Sequence, residues 1–126
     1  MPHIELTYSA NLESLVNIQA LCNALRETCI ETSIAPVAGI RVRAFKADHV
    51  SIADGDSKHG YIDFSVRLRE GRTHEQKDTL TTALFETAQK LLADTMASHP
   101  IALSMELRDI NATYSPKTGS IRQFLA

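Results

Sequence analysis

From Pro2 to Tyr8 the chain alternates. Ile4, Leu6 and Tyr8 fall on one side, and His3, Glu5 and Thr7 on the other. That is the period of a half-buried β-strand. Leu15, Ile18, Cys22, Leu25 and Cys29 then recur at spacings of three or four, with Leu21 beside them. The spacing predicts an amphipathic helix of about five turns. Asn11 is its expected N-cap, Glu13 suits the dipole of the first turn, and Pro36 closes the segment.

A second strand is expected over Val37–Phe45, with Val42 and Ala44 on one face and Arg41, Arg43 and Phe45 on the other. It continues or bends through residues 48–52. Asp54–Gly60 carries turn chemistry and lacks the spaced acids and terminal Glu of a calcium loop. Tyr61–Arg69 alternates again, with Ile62, Phe64, Val66 and Leu68 apolar. Thr73 and Gln76 form a capping-box pattern ahead of a second helix. Its stripe is Leu80, Leu84, Ala88, Leu91, Leu92 and Met96, and it stops near Ser98, before Pro100. Ile101–Arg108 alternates as a fourth strand. In the tail, Ile121, Phe124 and Leu125 need cover, from their own domain or from a neighbouring subunit.

The order strand, helix, strand therefore occurs twice, about 60 residues apart. Two βαβ units have parallel strands and right-handed crossovers. The expected fold is α+β: one domain over residues 1–126, with a four-stranded mixed sheet and two helices on one face. The opposite face would carry Glu5, Asp63, Ser65, Arg67, Ser104, Glu106 and Arg108. It is either bare to water or the lining of a wet channel between subunits.

At 126 residues and 44% hydrophobic content, one core is affordable. The net charge of −2 argues against nucleic acid as a partner. No run of 18 apolar residues exists, and the first residues have no basic leader or apolar stretch, so a cytoplasmic protein without a membrane partner is expected. Cys22 and Cys29, seven residues apart on one helix, would lie about 10.5 Å apart, too far for a disulfide. They read as small buried hydrophobes. Asn111-Ala112-Thr113 matches a glycosylation sequon, expected to stay unused without secretion.

His3, His49, His59, His74 and His99 have no metal-ligand spacing, and no phosphate loop or nucleophile elbow is present. Two kinds of residue remain. If Met1 is removed, the nitrogen of Pro2 becomes a secondary amine, a base of moderate pKa; with Met1 attached it is an amide. Pro2 is otherwise an ordinary second residue. Arg41, Arg43 and Arg72 offer planar guanidinium groups suited to bidentate carboxylate binding, or are solvated surface charge.

Pro2-His3-Ile4, Pro36-Val37-Ala38-Gly39-Ile40-Arg41-Val42-Arg43, Ala53-Asp54-Gly55, Gly71-Arg72 and Ala102-Leu103-Ser104-Met105-Glu106 occur in register along the whole chain. Together they resemble the 5-carboxymethyl-2-hydroxymuconate Δ-isomerase family of the tautomerase superfamily. The resemblance implies a βαβ duplication assembled as a homotrimer. It implies a cofactor-free isomerase, without a metal, acting on unsaturated 2-hydroxy or 2-oxo acids from homoprotocatechuate-type aromatic breakdown. Pro2 matches the family's catalytic proline, and Arg41 and Arg72 its substrate-binding arginines. Arg43 matches the second Arg of the same segment. Arg69-Glu70 depart from the family by adding charge beside the site. Two other readings fit the resemblance: an aryl pyruvate keto-enol tautomerase, and a non-catalytic trimeric binding protein of the same fold.

Overall fold

Strand β1 (His3–Ser9) runs through the middle of the sheet rather than along its edge. The computed structural model describes residues 2–126. β2 (Arg41–Ala47), β3 (Gly60–Arg69) and β4 (Ile101–Ile110) complete a four-stranded sheet in the order β2-β1-β3-β4. β1 pairs with β2 and β3 with β4 in parallel, while the two central strands run antiparallel. The mixed sheet of two βαβ units is the expected one. Ile4, Leu6, Ile62, Phe64, Val66 and Leu68 are fully buried on one face. Helices α1 (Ile18–Thr32) and α2 (His74–Ser98) cover that face with Leu21, Leu25, Leu80, Leu84 and Leu92. The hydroxyls of Thr28 and Thr87 meet at 2.7 Å between the helices. β1, β3 and β4 alternate because one face is dry and the other wet.

α2 begins as the capping box predicts. The Thr73 N–H donates to Gln76 Oε1 at 3.0 Å, and the Gln76 N–H donates to Thr73 Oγ1 at 3.1 Å. Gly71 ahead of it has φ +108°, which side chains rarely adopt. α1 differs from expectation. It starts at Ile18, and its cap is Asn17, whose side chain accepts from the Ala20 N–H at 3.0 Å. Residues 10–12 form a short 3-10 turn that buries Leu12, and Leu15 is exposed. Asn11 serves elsewhere: its amide donates to the carbonyls of Ser57 and His59 at 3.3 and 2.9 Å.

Val37–Gly39 likewise form a 3-10 turn, so β2 begins only at Arg41. It ends at Ala47 instead of running on to residue 52. β4 reaches Ile110, two residues beyond the alternating run. Leu91 and Met96 lie partly exposed at the margin of the α2 stripe. Cys22 and Cys29 are buried free thiols; burial pushes Cys29 up to about 11 and Cys22 in the same direction. Among the described residues the tail is only partly covered: Phe124 is 82% exposed, and Ile121 and Leu125 are about half exposed. Among the described residues no helix is long and apolar enough to cross a membrane.

Candidate active site

Pro2 is buried at the head of β1, and its carbonyl accepts from the Arg41 N–H at 3.1 Å. The ladder sets His3 between Arg41 of β2 and Arg67 of β3, and Arg67 beside Arg108 of β4. One row across the polar face therefore reads Arg41, His3, Arg67, Arg108. The next row reads Arg43, Glu5, Ser65, Glu106. Side chains at the same level of a sheet lie on one face, so the first row gathers cations and the second mixes them with acids.

Arg43 is engaged within this face. One terminal nitrogen pairs with the Glu5 carboxylate, and the other lies 3.4 Å from His3 Nδ1. A guanidinium only donates, so Nδ1 accepts and the imidazole is neutral. Burial first, then the charges of Arg67, Arg41 and Arg43, hold the His3 pKa below its usual 6.5. Both effects disfavour the imidazolium.

Two cavities open at this end of the sheet. One, of about 200 Å³, is lined by Ala38, Arg41, Lys117, Thr118, Gly119, Ile121 and Arg122. The other, of about 90 Å³, is lined by His3, Arg67, Arg69, Ile110, Ser115, Pro116 and Lys117. Neither wall contains a carboxylate side chain, and Lys117 contributes to both. Such walls suit an anion with more than one carboxylate.

The structure thus brings Pro2, Arg41 and Arg43 together around His3. Arg72 reaches the same end of the sheet but lines neither cavity. Its Nε and one terminal nitrogen donate to the Ile34 carbonyl at 3.4 and 3.3 Å, and the other donates to the Arg69 carbonyl at 3.3 Å. Lys117 and Arg122 were not singled out from the sequence. Arg67 and Arg69 were read only as sheet-face and neighbouring charge. Alternation placed Arg67 on the face of His3, and that was the available signal. Nothing in the tail's pattern indicated that it folds back beside Arg41. The expected removal of Met1 lies outside the described residues. Among the described residues no group of three or more His, Cys, Asp or Glu side chains is placed to hold a metal ion.

The comparisons agree with this fold. Residues 2–125 match the family model described as 5-carboxymethyl-2-hydroxymuconate isomerase. The 5-carboxymethyl-2-hydroxymuconate Delta-isomerase of Escherichia coli is 28% identical over 121 residues, 96% of each chain. The crystal structure of a 5-carboxymethyl-2-hydroxymuconate isomerase from Deinococcus radiodurans R1 superposes with a TM-score of 0.90 at 26% identity, covering 99% of this chain and 95% of that one. A fused 4-OT wild-type symmetric trimer shares the fold with a TM-score of 0.64 at 24% identity, covering 88% and 87%. The duplicated βαβ sheet, the buried Pro2 beside Arg41 and the match over nearly the whole chain lead to one assignment: the protein is an isomerase and belongs to the 5-carboxymethyl-2-hydroxymuconate isomerase family.

Proposed function

We propose that the protein isomerises 5-carboxymethyl-2-hydroxymuconate or a close relative, with the amine of Pro2 as general base. The observation that carries this is the placement of Pro2, buried at the head of a central strand and bonded through its backbone to Arg41, at the cationic end of the sheet. In the mature chain Pro2 is the first residue and its nitrogen has a lone pair. Burial and guanidinium charge both disfavour the ammonium, leaving more free base at neutral pH. The nitrogen takes the 2-hydroxyl proton, electron density moves through the diene as a dienolate, and the proton returns at another carbon. One double bond shifts, the hydroxyl becomes a carbonyl, and no atom is gained or lost.

Arg41 holds a carboxylate and stabilises the dienolate charge. Arg72 acts at the same end: its bonds to Ile34 and Arg69 use three of its five N–H groups and leave two for a substrate carboxylate. Arg43, held by Glu5, orients His3. The working unit is a homotrimer in the cytoplasm. The exposed Phe124, Ile121 and Leu125, the two open sheet edges and the polar sheet face support a shared interface, as does the similarity to a symmetric trimer.

The experiment compares chains that begin at Pro2 with chains that retain Met1, each defined by intact mass. Turnover of 5-carboxymethyl-2-hydroxymuconate should track the fraction beginning at Pro2. An amide nitrogen has its lone pair delocalised into the carbonyl and cannot accept the proton. A fully Met1-retained preparation with full activity would exclude Pro2 as the base.

A further inference from the structure

We infer that Lys117, in the C-terminal tail, determines specificity for substrates with a second, distal carboxylate. This assignment rests on the isomerase site described above and extends it. Lys117 lines both cavities at the head of β1. One holds Arg41 and the other Arg67 and Arg69, on opposite sides of His3. Neighbouring strands lie about 4.8 Å apart, so Arg41 and Arg67, two strands apart, have Cα atoms about 10 Å apart. A six-carbon conjugated diacid is a stiff rod with a carboxylate at each end. Seated across His3, it places one carboxylate toward Arg41 and the other toward Arg67, with the Lys117 ammonium between the two cavities.

The charge balance points the same way. Arg43 is neutralised by Glu5 and Lys77 by Asp109, whereas the side chains of Lys117 and Arg122 make no ion pair among the described residues. An anion entering beside Lys117 and Arg122 relieves their repulsion from neighbouring cations. A substrate with two carboxylates reaches both cavities at once, whereas one with a single carboxylate reaches one. The structure therefore favours diacids and triacids over aryl pyruvates, and it locates the discrimination in a tail residue rather than in the strands.

The test uses trans,trans-muconate and sorbate, which share a six-carbon diene and differ by one carboxylate, with calorimetric binding to chains beginning at Pro2. The wild-type chain should bind muconate about tenfold more tightly than sorbate, as expected for one added charge-assisted contact. Lys117→Met should weaken muconate several-fold more than sorbate and so shrink that preference, and Lys117→Arg should keep it. Lys117 is exposed, so the variants should fold, and an unchanged melting temperature checks this. Absence of a muconate preference in the wild type, its undiminished survival in Lys117→Met, or an equal loss of both ligands would overturn the assignment. Turnover of the hydroxymuconate, measured on the same preparations, judges the isomerase reading separately, because the binding ratio does not depend on proton transfer.

Discussion

At the head of β1, the Pro2 carbonyl accepts from the Arg41 N–H; at the head of β3, the Gly60 N–H donates to the Pro100 carbonyl at 2.9 Å, just ahead of Ile101. Each half of the duplication closes its parallel pair with one such backbone bond, donor and acceptor strands exchanged, at opposite ends of the sheet. The second end has the larger void, about 360 Å³, lined by Asp48, His49, Asp56 and His59 among others and by no Lys or Arg. Its charges are largely internal to the turn. Asp54 pairs with His59 at 2.7 Å, and the Asp56 N–H, then His59, lowers the Asp54 pKa. The larger void therefore lies at the end without Lys or Arg, and size and cationic charge do not coincide. A backbone bond joins the parallel strands at both ends, and the sign of the side-chain charge separates them.

Removing the charge at the first end should have the largest effect. Arg41→Ala should cost roughly 2–4 kcal/mol in kcat/KM, the range for losing a charge-assisted contact to developing negative charge. Asp48→Ala, at the other end, should leave kcat/KM unchanged; equal losses would erase the distinction. Next comes the second end's own stability. Asn11→Ala removes the two amide bonds to Ser57 and His59 and should cost about 1 kcal/mol in urea unfolding, with turnover unaffected. A loss of activity larger than the loss of stability would show that the two ends communicate.

The smallest effect is electrostatic and belongs to His3. Its pKa is lowered in the fold, so between that value and 6.5 the unfolded chain binds more protons. The contribution to stability is therefore fully present above 6.5, falls as pH drops through 6.5, and levels off below the folded value. The difference in urea midpoint between wild type and His3→Gln should change between about pH 7.5 and pH 5 in that direction. A difference independent of pH would mean that His3 is not held neutral by its surroundings.

Much of this was legible before any coordinates. Alternation in β1, β3 and β4 put every core residue of the sheet on the correct face, because a one-residue slip would expose the whole set. The Thr73 capping box fixed the start of α2. Asn11 misled because Asn suits any helix entry, and the competition with Asn17 was settled by burial: a 3-10 turn lets Leu12 enter the core beside Gly60, where a Cβ would lie 2.7 Å from Leu12 Cδ2. Val37–Gly39 looked like strand because apolar runs do not reveal a tight turn after proline. Arg41 could be named from its segment. Lys117 and Arg122 could not, since an irregular tail has no period from which to read its path.

Arg72 ties the carbonyl of Ile34, in the segment leading to Arg41, to the carbonyl of Arg69, at the end of β3. Those segments come from different halves of the duplication. With this brace in place, the gap between the Arg41 and Arg69 sides is set before a ligand arrives. Little ordering entropy is then left to be lost on binding. Selection between acids becomes a matter of length measured against a rigid gauge, and a molecule too short to span it gains nothing from the protein's giving way.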